Sequence, residues 1–266
     1  MIPFLHLGPI TIPTYGLMLA LAMLAAYFVL RADLARRGIA PNTSTIAESL
    51  IALPCLAGII GAKLYHVLES PSEFFADPWL QLFSQFGFAW FGGLLAGFSV
   101  YVLLARRERA PLLSMLDAGS PAAALGYGIG RIGCLLSGDG DYGIPTSLPW
   151  GMSFPDGLVP TTARVHPTPI YEFIVACAIA WWLWKLGSRS AIPSKAGSTA
   201  KSAPLAPGIV FAAYLVLTGA ARFLVEFIRI NPRSFLGLTN AQVASLASIL
   251  AGLALWWWVR RGRFET

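Results

Sequence analysis

Charged residues are scarce in this 266-residue chain: only 12% of the positions are Asp, Glu, Lys or Arg, whereas 56% are hydrophobic. A water-soluble domain usually carries about 25% charged residues, and disordered chains have few apolar residues. The shortage of charge therefore excludes an ordinary soluble enzyme and a disordered protein. Together with a mean hydropathy of +0.65, it indicates an integral membrane protein.

Cysteine is also rare, and none of the three, Cys55, Cys134 and Cys177, forms a Cys-x-x-Cys pair or has metal-ligand spacing. Neither a disulfide framework nor a metal site is expected. The N-terminus lacks the basic start of a cleavable signal peptide, so residues 15–30 are expected to form a retained transmembrane helix. The 19 basic residues exceed the 13 acidic ones, but they lie between apolar segments, which does not favour nucleic-acid binding.

Long uncharged stretches locate the membrane spans, because a helix needs roughly 20 mostly apolar residues to cross about 30 Å of hydrocarbon. Four stretches contain no charged residue, and three others are apolar overall but contain or adjoin charged residues. The sequence therefore predicts an all-α polytopic membrane protein with seven transmembrane helices, forming a single transmembrane domain over residues 1–266. The predicted segments are 1–30, 47–67, 78–105, 113–136, 170–186, 202–221 and 234–259.

The distribution of basic residues predicts the orientation of these spans. With the N-terminus outside, 13 of the 19 Lys and Arg residues fall on the cytoplasmic side, which is the usual bias. The C-terminus is then cytoplasmic as well. Residues 187–207 are rich in Ser, Ala and Pro and are expected to be a flexible cytoplasmic linker between the fifth and sixth spans.

Several charged residues fall inside the spans, where an unpaired charge costs at least about 2 kcal/mol. Arg131 lies near the outer end of the fourth span, and Arg222, Glu226 and Arg229 share one face of the sixth. Arg131 could simply snorkel to the interface, and Arg222 with Glu226 could be a structural ion pair. Two arginines for one glutamate, however, predict a surplus of positive charge that a phosphate would satisfy.

Three further residues are expected in the same outer layer. Lys63 adds a cation, Tyr15 begins the first span, and His166 precedes the fifth as a candidate proton-handling group. Each also has a plain interpretation, as an interfacial or structural residue. Together they predict a positively charged cavity that opens toward the outer leaflet.

In order and spacing, these residues resemble the prolipoprotein diacylglyceryl transferase family. The resemblance rests on Tyr15-Gly-Leu-Met, Phe91-Gly-Gly-Leu, Gly130-Arg131-Ile-Gly133, His166-Pro with Tyr171-Glu172, and Arg222-Phe-Leu-Val-Glu226-Phe. It implies transfer of a diacylglyceryl group from phosphatidylglycerol to the lipobox cysteine thiol of a prolipoprotein. The implied location is the bacterial inner membrane, with membrane lipids and prolipoprotein signal peptides as partners and with no cofactor or metal.

The resemblance also implies roles for individual residues. Arg131 and Arg222 would hold the phosphate and stabilise charge on the departing oxygen, and His166 is the third catalytic candidate. Glu226 would orient Arg222. The headgroup site would be lined by the substrate-binding candidates Arg131, Tyr15, Lys63, Gly138, Asp139 and Glu226.

The sequence departs from the family pattern at several positions. Phe91 stands where the family usually has His, Cys134 and Ser137 stand where it has Asn, and Thr218 stands where it has Tyr. The role of proton acceptor then passes to His166 or Asp139. These departures leave open a non-catalytic paralogue that binds anionic phospholipid. An anion transporter is less well supported, because the ionisable residues gather at one end of the spans, apart from Asp117.

Overall fold

The computed structural model describes residues 2–39, 42–84, 87–190, 205–234 and 236–262. The chain forms two compact units, Met1–Gly38 with Leu116–Thr266, and Ile39–Met115. The helices are α1 (Thr14–Arg37), α2 (Thr43–Glu69), α3 (Pro71–Ala76), α4 (Pro78–Phe83), α5 (Trp90–Arg107), α6 (Leu112–Ser137), α7 (Thr168–Gly187), α8 (Ile209–Val225) and α9 (Asn240–Arg261). The strands are β1 (Phe4–Leu7), β2 (Ile10–Pro13), β3 (Met152–Phe154) and β4 (Thr161–Val165), in two antiparallel hairpins.

Five helices among the described residues are long and apolar enough to cross a membrane: α1, α2, α7, α9, and α8 with the 3-10 turn that extends it to Ile228. The remaining two predicted segments, 78–105 and 113–136, correspond to α5 and α6. The first of these was predicted too long. Asp77 caps the separate short helix α4 by accepting a hydrogen bond from Leu80 N–H, and α5 begins only at Trp90. The absence of charge did not indicate this break.

In the larger unit, small residues let the helices approach closely. A Cβ at Gly128 of α6 would lie 3.0 Å from the Cβ of Ala176 in α7, and one at Gly126 would lie 3.7 Å from the Cβ of Ala26 in α1. In a lipid bilayer the hydrophobic effect does not drive helices together, so close van der Waals packing of this kind stabilises their association. The buried apolar cluster that joins α6, α7 and α8 consists of Ala124, Ile179, Ala180, Leu183 and Val210.

One end of α6 is held by a buried acidic residue. Asp117 accepts hydrogen bonds from the backbone N–H groups of Gly208 and Phe211, at 2.9 and 2.7 Å, and so caps the start of α8. Arg37 lies 3.9 Å from the same carboxylate. Asp117 precedes Arg131 by 14 residues, which is about 21 Å along a helix. This ion pair therefore belongs to a different end of the unit.

The other end of α6 leads into the segment that shapes the candidate site. Gly138 ends the helix with φ of +60°, and a Cβ there would lie 2.7 Å from Gly157 Cα, so only glycine fits without strain. Beyond it, a buried cluster of Tyr142, Phe154 and Val165 anchors the loop to the β3–β4 hairpin. Residues 138–168, which connect α6 to α7, thus pack against one another. Of the predicted linker 187–207, residues 191–204 lie outside the described part.

The smaller unit is built on α2 and α5. Gly61 and Gly92 face each other so closely that a Cβ on Gly61 would lie 2.6 Å from the carbonyl oxygen of Gly92. Lys63 of α2 is buried in this unit, where it donates a hydrogen bond to Ser84 O at 3.0 Å and lies over the ring of Phe88.

Candidate active site

Three arginines and three carboxylates from separate elements meet at the end of α6 that leads to Gly138. This arginine–carboxylate cluster joins α6, the loop after it, α7, and α8 with its 3-10 turn. Its members are Arg131, Asp141, Glu172, Arg222, Glu226 and Arg229.

Glu172 of α7 is the centre of the cluster. Its Oε2 lies 2.7 Å from Arg131 Nη2 and 3.2 Å from Arg229 Nη1, and its Oε1 lies 2.9 Å from Arg222 Nη1. Tyr127 donates a hydrogen bond to the same Oε1 at 2.5 Å. The carboxylate is almost completely buried, with a side-chain exposure of 4%. One buried anion therefore fixes the relative positions of all three guanidinium groups.

Asp141 forms a second bridge, between Arg131 and Arg229. Its Oδ2 accepts a hydrogen bond from Arg131 Nη1 at 2.5 Å, and its Oδ1 accepts one from Arg229 Nη2. The loop is held in place because Thr168 Oγ1 donates to the backbone oxygen of Asp141 at 2.6 Å. Burial alone would raise the pKa of Asp141, but the two guanidinium groups outweigh it and hold that pKa below its ordinary value.

Glu226 completes the cluster beside Arg222. Arg222 Nη2 lies 3.0 Å from Glu226 Oε2, and Asn231 Nδ2 donates to Oε1 at 2.6 Å. Arg222 is the most exposed guanidinium of the three, with 27% of its side chain accessible, against 11% for Arg131 and 4% for Arg229. Arg222 is therefore the arginine that a ligand can reach most directly.

The predicted surplus of positive charge is wrong for the described residues. Glu172 and Asp141, from other elements, join Glu226, so three guanidinium groups face three carboxylates. The hydrogen bonding is nevertheless incomplete. Arg131 Nε is buried and makes no hydrogen bond within the described part of the chain, whereas Arg229 Nε lies 3.6 Å from Glu226 Oε2. Buried N–H groups are almost always satisfied, so the Arg131 donor leaves a place for an acceptor-rich anion.

Comparison with known proteins identifies the family. The sequence profile described as prolipoprotein diacylglyceryl transferase matches residues 3–258. The chain belongs to this family. It is 31% identical over 260 residues to the phosphatidylglycerol–prolipoprotein diacylglyceryl transferase of Geobacter sulfurreducens, covering 95% of this chain and 92% of that one. It is 32% identical to that of Clostridium tetani, covering 90% of each, and 33% identical to that of Bordetella bronchiseptica, covering 97% and 94%.

Of the residues that the sequence proposed for the diacylglyceryl transferase site, Arg131, Arg222 and Glu226 lie together in the cluster. Asp139 lies beside it in the loop, where burial, reinforced by the charge of Asp141, raises its pKa. Tyr15 lies next to α6, since a Cβ on Gly133 would lie 3.1 Å from its ring. Gly138 forms the turn that starts the loop.

The other two candidates are placed differently. His166 lies in the strand-like segment before α7 and bonds to Tyr171 rather than to a member of the cluster. Lys63 belongs to the smaller unit, as does Phe91 at the position of the family's usual His.

Four residues at the site are not among the named catalytic or substrate-binding candidates, although the sequence groups Arg229 with Arg222 and Glu226: Tyr127, Asp141, Glu172 and Arg229. Two of them carried a signal in the sequence. Glu172 belongs to the His-Pro and Tyr-Glu motif, and Arg229 shares a helix face with Arg222. Asp141 and Tyr127 had no comparable signal, because a loop carboxylate and a helical tyrosine are ordinary until the fold brings them to Arg131.

A metal is poorly suited to this site. Ligand atoms of Cys134, Asp139 and Asp141 lie within 4.8 Å of one another, and this is the one such group among the residues described. Asp141 is already bonded to two guanidinium groups, whose charge opposes a cation. Arg131 Nη1 also donates a hydrogen bond to Cys134 Sγ at 3.4 Å. The arrangement therefore favours an anion over a metal ion.

Proposed function

We propose that this chain transfers a diacylglyceryl group from phosphatidylglycerol to the lipobox cysteine thiol of prolipoproteins, the first step in lipoprotein modification. The family and the names of its relatives support the reaction. The observation that carries the proposal is that Arg131 and Arg222, from two different helices, contact the same carboxylate, and that Arg131 keeps a buried donor unsatisfied. A phosphodiester has oxygens that can accept a hydrogen bond from this unsatisfied donor.

In this mechanism the lipid phosphate binds between the two guanidinium groups. Glu172 and Glu226 orient the guanidinium groups before the lipid arrives, so little reorganisation is needed when the phosphate binds. The guanidinium fork can offer two parallel N–H groups to two phosphate oxygens. Tyr15, Gly138 and Asp139 line the region that receives the headgroup.

The substrate supplies the nucleophile. The cysteine thiolate attacks the glyceryl methylene carbon, the C–O bond to the phosphate breaks, and glycerol 1-phosphate departs. The arginines stabilise the negative charge that grows on the departing phosphate oxygen, and their positive field also favours the thiolate over the thiol. Holding both substrates in one cavity supplies orientation, and the proposed steps require no cofactor or metal.

The membrane arrangement is part of the proposal. α5 and α6 join the five apolar helices to give seven spans, with the N-terminus outside and the C-terminus in the cytoplasm of a bacterial cell, as the basic residues predict. The cluster then faces the outer leaflet of the inner membrane. Membrane lipids and prolipoprotein signal peptides are the partners, and nucleic acid is not. The chain acts as one transmembrane domain, with residues 187–207 as a cytoplasmic linker.

The test is direct transfer by the purified protein. Full-length protein is incubated with phosphatidylglycerol and a lipobox peptide, and the diacylglyceryl thioether is measured by mass spectrometry. We expect product from the natural sequence, and at least a 10³-fold lower rate from Arg131→Ala and from Arg222→Ala at equal protein level in the membrane. The exposed Asp156→Asn variant serves as the control. Lipid binding without thioether, or full activity of both arginine variants, would contradict the proposal.

A further inference from the structure

A short hydrogen-bonded chain lies beside the cluster. Trp150 Nε1 donates a hydrogen bond to Tyr171 Oη at 2.8 Å, and Tyr171 Oη lies 3.2 Å from His166 Nδ1. The indole N–H can only donate, so it occupies one lone pair of the phenol oxygen. The phenol proton is then available to His166 Nδ1, and a second lone pair remains on the oxygen.

Backbone contacts fix the position of this chain relative to the cluster. His166 N–H donates to Ile144 O, Gly143 N–H donates to His166 O, and Ile144 N–H donates to Ile228 O. The residue after Ile228 is Arg229, and the residue after Tyr171 is Glu172. Only glycine fits at position 143 without moving its neighbours, because a Cβ there would lie 2.5 Å from Ile228 O and 2.9 Å from His166 Cβ. The backbones of His166 and Arg229 are therefore separated by two strand spacings, roughly 10 Å.

The family positions that could accept a proton are altered in this chain. Phe91 has no proton-accepting atom. The Thr218 hydroxyl is committed to its own helix, since it donates to Tyr214 O at 2.6 Å. Tyr171 is only half-buried, so its hydroxyl remains accessible. Tyr171 therefore provides an accessible hydroxyl oxygen, and His166 Nδ1 lies within hydrogen-bond distance of it as a base.

We propose that Tyr171 is a catalytic residue of the transfer reaction: its oxygen takes the proton of the acceptor thiol while its own proton moves to His166 Nδ1. This inference rests on the proposed function. The S–H bond breaks, an O–H bond forms on Tyr171, and an N–H bond forms on His166, which leaves a thiolate, a neutral phenol and an imidazolium.

The remaining steps account for the other bonds that form and break. The thiolate forms the C–S bond to the glyceryl methylene as the C–O bond to the phosphate breaks, and the bonding electron pair leaves with glycerol 1-phosphate. After glycerol 1-phosphate has left, the imidazolium releases its proton to water through the same phenol, which restores the starting state. Trp150 acts as a positioning residue, because its N–H holds the Tyr171 oxygen and polarises its O–H bond.

A selenocysteine peptide provides the test, because a selenol is already ionised at neutral pH and needs no base. With the cysteine peptide, Tyr171→Phe is expected to lower kcat about 10²-fold, with the KM for phosphatidylglycerol changed less than about twofold. With the selenocysteine peptide, the variant is expected within about threefold of the natural sequence. A loss that persists with the selenol would show a structural role and overturn the inference.

Control variants distinguish the loss of proton transfer from a general effect of removing a phenol. Tyr142→Phe removes a phenol that also bonds to a backbone oxygen in this layer, at Val159 O, and is expected to stay within about twofold of the natural rate. The kcat of Trp150→Phe is expected to fall about threefold to tenfold, again only with the cysteine peptide. This variant replaces Tyr171→Phe as the test if Tyr171→Phe does not fold.

The double variant His166→Gln with Tyr171→Phe is expected to be no slower than the slower single variant, because both residues act on one proton transfer. Additive losses would contradict the relay.

Two results separate this inference from the proposed function. If the natural sequence makes thioether and Asp139→Asn, not Tyr171→Phe, shows the loss that selenocysteine rescues, the function stands and the relay is wrong. If the natural sequence makes no thioether, the proposed function itself is wrong.

Nitrogen-15 NMR of the His166 ring tests the hydrogen bond without turnover. In the natural sequence the neutral ring is expected to carry its proton on Nε2 alone, and in Tyr171→Phe a mixture of the Nε2 and Nδ1 tautomers is expected. A proton on Nδ1 in the natural sequence would overturn the relay.

Discussion

Arg131 and Arg222 approach the same carboxylate from two helices, Arg131 Nη2 at 2.7 Å from Glu172 Oε2 and Arg222 Nη1 at 2.9 Å from Oε1. The two guanidinium groups are therefore placed with respect to each other by a third helix. This arrangement explains how two cations can be kept close together in an apolar environment, and it makes Glu172 as important to the site as either arginine.

Glu172→Gln should lower both stability and transfer. The amide keeps the size of the side chain but removes the charge that balances three guanidinium groups, of which Arg229 is buried and the other two partly so, and the free energy of unfolding is expected to fall by about 3 kcal/mol. We expect kcat/KM for phosphatidylglycerol to fall at least 10²-fold, because the arginines lose their common anchor. Thermal unfolding in detergent and the thioether assay measure the two effects. The exposed Asp156→Asn should change neither, and natural activity in Glu172→Gln would contradict the role of this residue.

Asp139 and Asp141 should affect stability with opposite signs. Arg131 and Arg229 lower the pKa of Asp141, so its charge stabilises the fold above the ordinary carboxyl pKa of about 3.8 and this contribution is lost as the pH falls below that value. Burial raises the pKa of Asp139, so ionising it costs stability as the pH rises past 3.8 and through its higher folded value.

At pH 7, Asp141→Asn is therefore expected to unfold at a lower temperature than the natural sequence, and Asp139→Asn at a higher one. Both differences should shrink as the pH falls toward 3. Melting curves of the three proteins over this pH range make the comparison. Shifts of the same sign in the two variants would contradict the electrostatic assignment.

Asp117→Asn should lower stability without affecting chemistry. The amide loses one of the two acceptors that cap α8, which is worth about 1 kcal/mol. Because Asp117 lies about 21 Å along α6 from Arg131, kcat of the folded variant is expected to match that of the natural sequence. A variant with unchanged melting temperature and lost transfer would show that this ion pair belongs to the site.

Gly92→Ala and Gly130→Ala should differ sharply in stability. A Cβ on Gly92 would collide with the carbonyl oxygen of Gly61 and the Cβ of Tyr65, whereas a Cβ on Gly130 would meet no atom within 4 Å. Backbone cannot yield as a flexible side chain can, so Gly92→Ala is expected to unfold at a clearly lower temperature. Gly130→Ala is expected to gain up to about 1 kcal/mol, from the higher helix propensity of alanine. Equal melting temperatures would contradict the close packing of α2 and α5.

The composition of the sequence predicted a helical membrane protein, because spanning helices need long apolar runs. The predicted break points were less accurate where no charge marks them. Asp77 and Pro78 start a separate short helix inside the uncharged stretch 78–105, and a capping hydrogen bond has no effect on hydropathy.

The site was predicted in part for a similar reason. Arg222, Glu226 and Arg229 could be grouped because they share a helix face, and Arg131 could be noticed because it is costly in a span. The surplus of charge was wrong because Glu172 and Asp141 come from other elements, and a count within one helix cannot include them. Tertiary convergence is a property of the fold, not of local spacing.

A double-mutant cycle on Arg131 and Arg222 tests most directly whether both guanidinium groups hold one lipid phosphate. Arg131→Lys, Arg222→Lys and the double variant are compared by kcat/KM for phosphatidylglycerol in the thioether assay. Each single change is expected to cost about 10²-fold, because lysine cannot make the bidentate contact. If one phosphate is shared, the double variant should be no more than about tenfold slower than either single variant. Fully multiplied losses, about 10⁴-fold, would show that the two arginines act independently and would contradict the shared phosphate site.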